Sequence, residues 1–205
     1  MTDVGHDALP EAAGRREILN AATELFAAKG YSRVSIRELA ARAGCSTSNL
    51  YHHFSSKYEI FVTLVEGVMG EHHAGVRDAL ERFDDPVEQL AFVLRNHLLV
   101  HMRRPEVRLV SADFHPLDGP ALDRFIAERD RYERAVREIV ARGVEEGLLD
   151  AQDPAIAVRA AMGACTAVEQ WFRPSGPLSD EEVADRIAGF LLAAFGATRT
   201  AAVSR

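Results

Sequence analysis

The stretch SIRELAARAGCSTSNLYHHFSSK, residues 35–57, decides how the N-terminal part of this chain folds. Ser35, followed three residues later by Glu38, is a capping box in which each side chain accepts a backbone N–H, so a helix begins here. Gly44 can end that helix, because glycine takes the left-handed backbone conformation at low cost. The Ser46-Thr47 pair can cap a second short helix. The stretch therefore predicts a helix-turn-helix unit, which can place one helix in the major groove of DNA.

The second short helix has an apolar side and a polar side. Leu50 and Phe54 are spaced to anchor it, and the polar side carries Tyr51, His52 and His53 beyond its first turn. The first turn itself bears small hydroxyl and amide groups, which can approach base edges closely and hydrogen-bond to them. The candidate base contacts are Thr47, Ser48 and Asn49. The alternative for this tetrapeptide is a capped turn with no DNA contact.

Charge separates this end of the chain from the rest. Residues 15–57 carry seven basic and three acidic side chains, a net charge of +4, whereas the whole chain has a net charge of −7. Residues 61–205 hold 17 basic and 24 acidic side chains. A basic segment joined to an acidic body is typical of a DNA-binding domain attached to a separate sensing or assembly domain. A solvated basic helix face is the alternative.

Helical periodicity is nearly continuous and strand signals are almost absent, so the fold class is predicted to be all-α with about nine helices. We expect a flexible arm at 1–13, a helix-turn-helix DNA-binding domain at 14–60 and a larger helical ligand-binding and dimerisation domain at 61–205. The predicted helices span about 15–29, 35–42, 46–54, 57–83, 87–103, 106–114, 119–147, 153–172 and 180–197.

Several classes of protein are excluded or disfavoured by the sequence. No run of about 18 apolar residues and no signal peptide is present, so we expect a cytoplasmic protein without a membrane partner. Cys45 and Cys165 are too few and too differently placed for a disulfide framework, and we expect reduced thiols. No glycine-rich phosphate loop, nucleophile elbow or H-E-x-x-H motif occurs, so we expect no enzyme, no cofactor and no metal.

One alternative is a protein that binds a metal ion through histidines. His97 and His101 are spaced i, i+4 on one predicted helix and could chelate an ion, with His72, His73 and His115 as further ligands, which would make the chain a metal-responsive sensor. A second alternative is a helical interaction protein that has the helix-turn-helix shape but does not bind DNA.

The N-terminal segment resembles the tetracycline-repressor (TetR) family of bacterial transcription regulators. The resemblance rests on ILNAATELFAAKGY, then SIRELAARAG, then a short helix ending in LYHHF, then the Ser-Lys that opens a long helix, all in order over residues 15 to about 65. It implies a repressor that binds a double-stranded DNA operator and is released by a small-molecule effector. It also implies DNA contacts at Ser35 and Arg37, at the three base-edge residues named above, at Tyr51 and His52, and at Lys57.

The mechanism of such a regulator requires a homodimer. Two recognition helices must lie about 34–36 Å apart to enter successive major grooves on one face of DNA. An apolar stripe near the C-terminus is the candidate dimer interface, and packing into the chain's own core is its alternative role. The stripe consists of Val183, Ile187, Phe190, Leu191, Ala194 and Phe195.

The middle helices are the candidate sensing region. Their apolar residues and few polar groups could line a ligand cavity, although apolar residues at helical spacing are more often ordinary core residues. The candidate ligand-binding set is Phe92, His97, His101, Phe114, Tyr132, Met162, Glu169 and Trp171.

The segment WFRPSGPL, residues 171–178, resembles the W-[YF]-R-P-x-G-P-L signature of a TetR subgroup, some of whose members resemble repressors of lipid or steroid catabolism that respond to CoA thioesters. That resemblance implies an acyl-CoA-like effector, with Arg173 near an acidic ligand group. The alternative for Arg173, which the residues favour, is that it caps the preceding helix.

Overall fold

Helices alone build the part of the chain that a computed structural model describes, which comprises residues 11–104, 107 and 117–197. The all-α prediction is confirmed. The elements are α1 (Glu11–Lys29), a 3-10 turn (Tyr31–Arg33), α2 (Ile36–Arg42), α3 (Thr47–His53), α4 (Lys57–Arg82), α5 (Pro86–Arg103), α6 (Gly119–Glu145), α7 (Pro154–Thr166), α8 (Val168–Trp171) and α9 (Asp180–Ala194).

Some predicted boundaries differ from the observed ones. The helix predicted at 153–172 is divided at Ala167, where the N–H of Gln170 donates to the Ala167 carbonyl at 3.1 Å, an i→i+3 bond that tightens the turn. The last helix ends at Ala194 because Gly196, with φ of 66°, turns the chain. The predicted arm lies mostly outside the described residues, and the predicted helix at 106–114 does so apart from its second residue.

The head, defined here as α1–α3 with the 3-10 turn, packs around one small core. Its largest fully buried side chains include Phe26, Leu39, Leu50 and Phe54, each exposing 1% or less. Burial of each such side chain contributes about 1.5–3 kcal/mol to the free energy of folding. A unit of this size needs these contributions because small domains bury a smaller fraction of their surface. The core thus fixes α2 and α3 relative to α1.

Helix α4 joins the head to the body, which is defined here as α5–α9. Phe61, near its start, packs in the head with its ring centroid 5.0 Å from that of Tyr31, while its later turns pack on α5 and α6. Ser56 caps the helix by accepting the N–H of Glu59 at 3.1 Å. One 26-residue helix therefore contributes to the packing of both head and body, whose buried apolar residues form one continuous cluster.

Helix α5 is the centre of the body. It packs on α4, α6, α7 and α9, and 12 of its 18 residues are buried. At its exposed edge Arg95 pairs with Asp185 at 2.7 Å and Arg103 pairs with Asp180 at 2.5 Å, so ion pairs reinforce the contact with α9. Within the described ranges, no helix is both long enough and apolar enough to cross a lipid bilayer.

Candidate nucleic-acid interface and body cavities

The turn between α2 and α3 has the geometry that its sequence predicts. Ser35 Oγ accepts the Glu38 N–H at 3.3 Å while Glu38 accepts the Ser35 N–H at 2.9 Å. Gly44 has φ of 68°, a conformation that a side chain would strain. Ser46, rather than its neighbour, caps α3 by accepting the Asn49 N–H at 3.1 Å. These local bonds set the direction in which α3 follows α2.

Helix α3 presents its polar side to solvent. Leu50 is fully buried and holds the helix on the head, whereas the neighbouring Tyr51 is 54% exposed. Thr47, Ser48 and His52 are exposed and Asn49 is half-buried. The predicted contact residues of α3 therefore form one accessible face, with hydroxyl and amide groups at its N-terminal end as major-groove contact requires.

The other candidate DNA residues differ in how accessible they are. Arg37 is exposed in the first turn of α2, and Ser35 is exposed but occupied as a helix cap. His53, by contrast, faces inward, since its Nε2 lies 2.8 Å from where a Cβ on Gly14 would stand. His53 therefore packs on α1, whereas Tyr51 and His52, which were predicted to share its polar side, are exposed.

Lys57 has a role inside the head that the sequence did not indicate. Its Nζ donates to the carbonyl oxygens of Tyr31 at 3.0 Å and Val34 at 2.9 Å, and it lies 4.3 Å from the centre of the Tyr31 ring. Partial burial lowers the pKa of this ammonium. An ammonium has three N–H groups, so these two bonds leave one for a phosphate, and the phosphate contact stays a prediction.

Glu38→Gln is expected to destabilise the head more at neutral pH than in acid. Bonds from Lys29 Nζ at 2.8 Å and from Ser35 lower the pKa of Glu38 from 4.5 to about 2. A depressed carboxyl pKa stabilises the folded state above about pH 4.5, and the contribution is lost as pH falls from there through about 2. Urea unfolding of both proteins near pH 7 and near pH 3 checks this, with Glu81→Gln on the exposed side of α4 as control. An equal difference at both pH values would contradict it.

The body contains cavities on both sides of α6. One, of about 280 Å³, lies between α4 and α6 and is lined by apolar groups such as Val65 and Phe125 with Arg124 at its edge. The second, here called the histidine cavity, lies where α4, α5 and α6 meet and has a volume of about 250 Å³. A third space of about 440 Å³ shares His97, Arg129, Tyr132 and Thr166 with it. Apolar walls with a few polar groups suit a small ligand.

Only part of the predicted ligand-binding set lines these cavities. His97, His101 and Tyr132 line the histidine cavity, and Met162 lines the adjoining space. Glu169 is buried next to His101, with its carboxylate 3.3 Å from His101 Nδ1. Two further members of the set, Phe92 and Trp171, lie elsewhere. Phe92 packs against Phe83 and Arg82, Trp171 is 54% exposed, and Phe114 lies outside the described residues.

The histidine cavity also contains a residue that helical spacing alone could not assign to it. His72 of α4 stacks on His97 of α5 with ring centroids 4.4 Å apart. Burial lowers the pKa of His72 to about 3 and holds that of His97 well below its usual range, so both rings are neutral at pH 7. His73, one residue on, points instead to Glu128 of α6 at 3.1 Å.

The predicted dimer stripe is divided between two faces of α9. Val183, Leu191 and Phe195 are buried in the chain's own core, and Ile187 is half-buried against it. These four residues recur at intervals of four along the buried side of α9, and α9 packs on α5. The two outward members are Phe190, which is 73% exposed, and Ala194.

Arg173, the remaining candidate, caps the C-terminal end of α8. Its Nη1 donates to the carbonyl oxygens of Phe172 at 2.8 Å and Gln170 at 3.3 Å. The capping alternative is therefore confirmed. An exposed polar helix on a small basic head, joined by one long helix to a larger body with internal cavities, is the arrangement expected of a helix-turn-helix regulator.

Comparison with known proteins identifies the family. The family model for bacterial regulatory proteins of the tetR family matches residues 18–64, and the model for the tetracyclin repressor-like C-terminal domain matches residues 83–195. The chain belongs to the TetR family of transcriptional regulators.

Relatives match along most of their length. The HTH-type transcriptional repressor KstR2 of Mycobacterium tuberculosis is 25% identical over 181 residues, covering 87% of this chain and 90% of KstR2. The structure of PfmR, a TetR family regulator from Thermus thermophilus, is 35% identical with a TM-score of 0.79, covering 86% and 97% of the two chains. AibR, solved with isovaleryl coenzyme A and operator DNA, is 26% identical with a TM-score of 0.78, covering 87% and 98%.

Proposed function

We propose that the chain is a homodimeric repressor that leaves a palindromic operator when a small molecule of the acyl-CoA class enters its body. The observation that carries the DNA-binding part is the accessible polar face of α3, held on the head by buried Leu50 and Phe54. The net positive charge of residues 15–57 supports attraction to phosphate, and KstR2 is itself a transcriptional repressor.

The dimer is supported by the outward face of α9. Phe190 exposes 73% of its surface there, beside small residues such as Gly189 and Ala194 that would let a second helix approach. On α7, Ile156 is 65% exposed and is followed along the helix by Ala160 and Ala164, both exposed. Both helices pack on α5, so a partner that covered them would be held by the rigid centre of the body.

Coupling between cavity and head would run through α4. Tyr58 OH, at the head end of this helix, donates to Asp118 Oδ1 at 2.9 Å and so ties α4 to the start of α6. Further along, Glu71 pairs with Arg104 just beyond α5. A ligand that fits the cavities better when α4 is displaced would favour that conformation, and the heads would lose their spacing on DNA.

The effector class is supported by the cavity chemistry and by one relative. The α4–α6 cavity and the histidine cavity share Met69 and Phe125, so their walls could take a short acyl group, and Arg129 and Arg159 at the adjoining space could meet phosphates. AibR was solved with isovaleryl coenzyme A.

Tyr51→Ala is expected to weaken operator binding by about 10-fold to 100-fold without changing stability, since its exposed ring loses a DNA contact but no core contact. The operator is first isolated by incubating purified protein with fragments of the source genome and sequencing what it retains. Affinities of wild type and variant are then measured at several salt concentrations. Leu80→Ala, at an exposed apolar position of α4, is the control.

Two outcomes would oppose the DNA-binding part of the proposal. Retention of no specific fragment would favour the alternative of a helical interaction protein. Equal affinity of wild type and Tyr51→Ala for the retained fragment would contradict the predicted Tyr51 contact.

The effector part is tested on the same operator. Isovaleryl-CoA and longer acyl-CoA thioesters are expected to release the protein, whereas coenzyme A without an acyl group is the control. Release by coenzyme A alone would show that an acyl group in the apolar cavity is not required. If no thioester released the protein, this ligand class would be rejected. A metal ion is the alternative effector. The histidines that line the histidine cavity are the observation that supports this alternative.

A further inference from the structure

Three buried imidazoles from two helices meet in the body. His72 comes from α4, and His97 and His101 come from successive turns of α5. Their ring centroids are separated by 4.4 Å, 4.5 Å and 5.5 Å, and each offers a nitrogen such that these atoms all lie within 4.8 Å of one another. All three side chains expose 8% or less. Helix packing therefore concentrates three potential metal ligands at one point.

Ordinary core packing does not account for this cluster, because burying imidazoles costs more free energy than burying apolar side chains. A buried polar atom without a hydrogen bond costs free energy, and apolar side chains would fill the same space without that cost. His72 Nδ1 is such an atom, since it is buried and has no hydrogen-bond partner in the part of the chain that the structure describes. Coordination of a metal ion by the cluster would compensate the desolvation of its imidazoles.

The neighbours of two of the rings have the arrangement found around metal-bound histidines. Such a histidine commonly uses its second nitrogen to bond a carboxylate or another polar group, which orients the ring toward the ion. His101 Nδ1 lies 3.3 Å from the Glu169 carboxylate, and His97 Nδ1 lies 3.0 Å from the Tyr132 hydroxyl. The contact with Glu169 leaves the Nε2 of His101 for a ligand, whereas the Nε2 of His97 lies 3.4 Å from the Thr166 hydroxyl, a contact that a bound ion would replace.

We infer that His72, His97 and His101 together bind one divalent transition-metal ion, with Glu169 and Tyr132 as positioning residues. Imidazole ligands suit zinc, copper, nickel and cobalt rather than magnesium or calcium. In a tetrahedral site with metal–nitrogen bonds of about 2.0–2.1 Å the nitrogens are about 3.3 Å apart, so side-chain rotations must close the present separations. Three protein ligands leave a fourth position, which would face the histidine cavity.

Metal titration of the full-length, untagged chain, after treatment with a chelator, tests the site. Isothermal titration with Zn²⁺ is expected to give one ion per chain, and Co²⁺ is expected to give the visible absorption bands of a tetrahedral nitrogen-ligated ion. A His97→Gln, His101→Gln double variant is expected to bind at least about 100-fold more weakly, and Glu169→Gln about 10-fold to 100-fold more weakly. His73→Gln, next to His72 on α4, is the matched control and should bind as wild type.

Other outcomes would overturn the inference. Absence of stoichiometric Zn²⁺ binding and of tetrahedral cobalt bands in the wild-type chain would do so without any variant. Unchanged affinity in the double variant would place the metal elsewhere, and thermal unfolding of each variant shows whether it is folded. His72→Asn, which alters α4 alone, provides a second test if the double variant does not fold. None of these measurements depends on DNA binding or on an acyl-CoA effector.

Discussion

Phe190→Asp is expected to convert the proposed dimer into a monomer and to lower its affinity for the operator by about 10²-fold to 10⁴-fold. Phe190 lies on the outward side of α9 and is 73% exposed in the single chain, so the substitution removes no contact with the chain's own core. In the proposed dimer the same position is covered by the partner, and a carboxylate there would be desolvated without a partner charge.

The loss of DNA affinity follows from linking two heads. In a dimer the second head binds at high effective concentration once the first is on its half-site, and this gain is lost in a monomer. Light scattering coupled to size exclusion measures the mass, and a titration of labelled operator measures affinity. Leu80→Asp, which places the same charge at an exposed apolar position of α4, should leave both unchanged. A variant that remains dimeric would exclude this face of α9 as the interface.

Phe54→Ala is expected to destabilise the head by about 3–5 kcal/mol and to abolish DNA binding with it. The ring is 1% exposed, belongs to the head core and is covered by the guanidinium of Arg15, whose carbon lies 4.6 Å from the ring centre. Truncation leaves a cavity that neighbouring helices cannot fill, because Leu39 and Leu50 are held by their own contacts.

Tyr51→Ala is the matched comparison, because it removes a large aromatic side chain three residues away. Tyr51 is 54% exposed, so its loss should leave stability within about 0.5 kcal/mol of wild type. Urea unfolding followed by circular dichroism, at one fixed protein concentration because dimerisation adds to apparent stability, measures both. Equal stability of the two variants would contradict the assignment of Phe54 to the core and Tyr51 to the surface.

The helix-turn-helix head was largely predictable because its determinants are local. The capping box of Ser35 with Glu38 and the left-handed Gly44 occur as predicted. Each depends on atoms within about four residues along the chain, so the amino-acid order is sufficient to specify it. The buried anchors Leu50 and Phe54 follow from helical spacing alone.

The predicted dimer stripe is a feature whose buried and exposed members could not be told apart from the sequence. Val183 and Phe190 are both apolar and, seven residues apart, lie on nearly the same side of α9, so periodicity cannot state which of the two contacts the rest of the chain. The packing of α9 on α5 buries Val183 and leaves Phe190 in solvent.

The sequence alone determined the i, i+4 spacing of His97 and His101, the capping of α2 and α3, and the separation of a basic head from an acidic body. Each of these features depends on neighbours along the chain or on composition. Only the tertiary structure decided that His72, 25 residues before His97, joins the cluster, and that Lys57 bonds the carbonyls of Tyr31 and Val34. Contacts between helices depend on where whole helices cross, and that is set by how all the apolar faces pack at once.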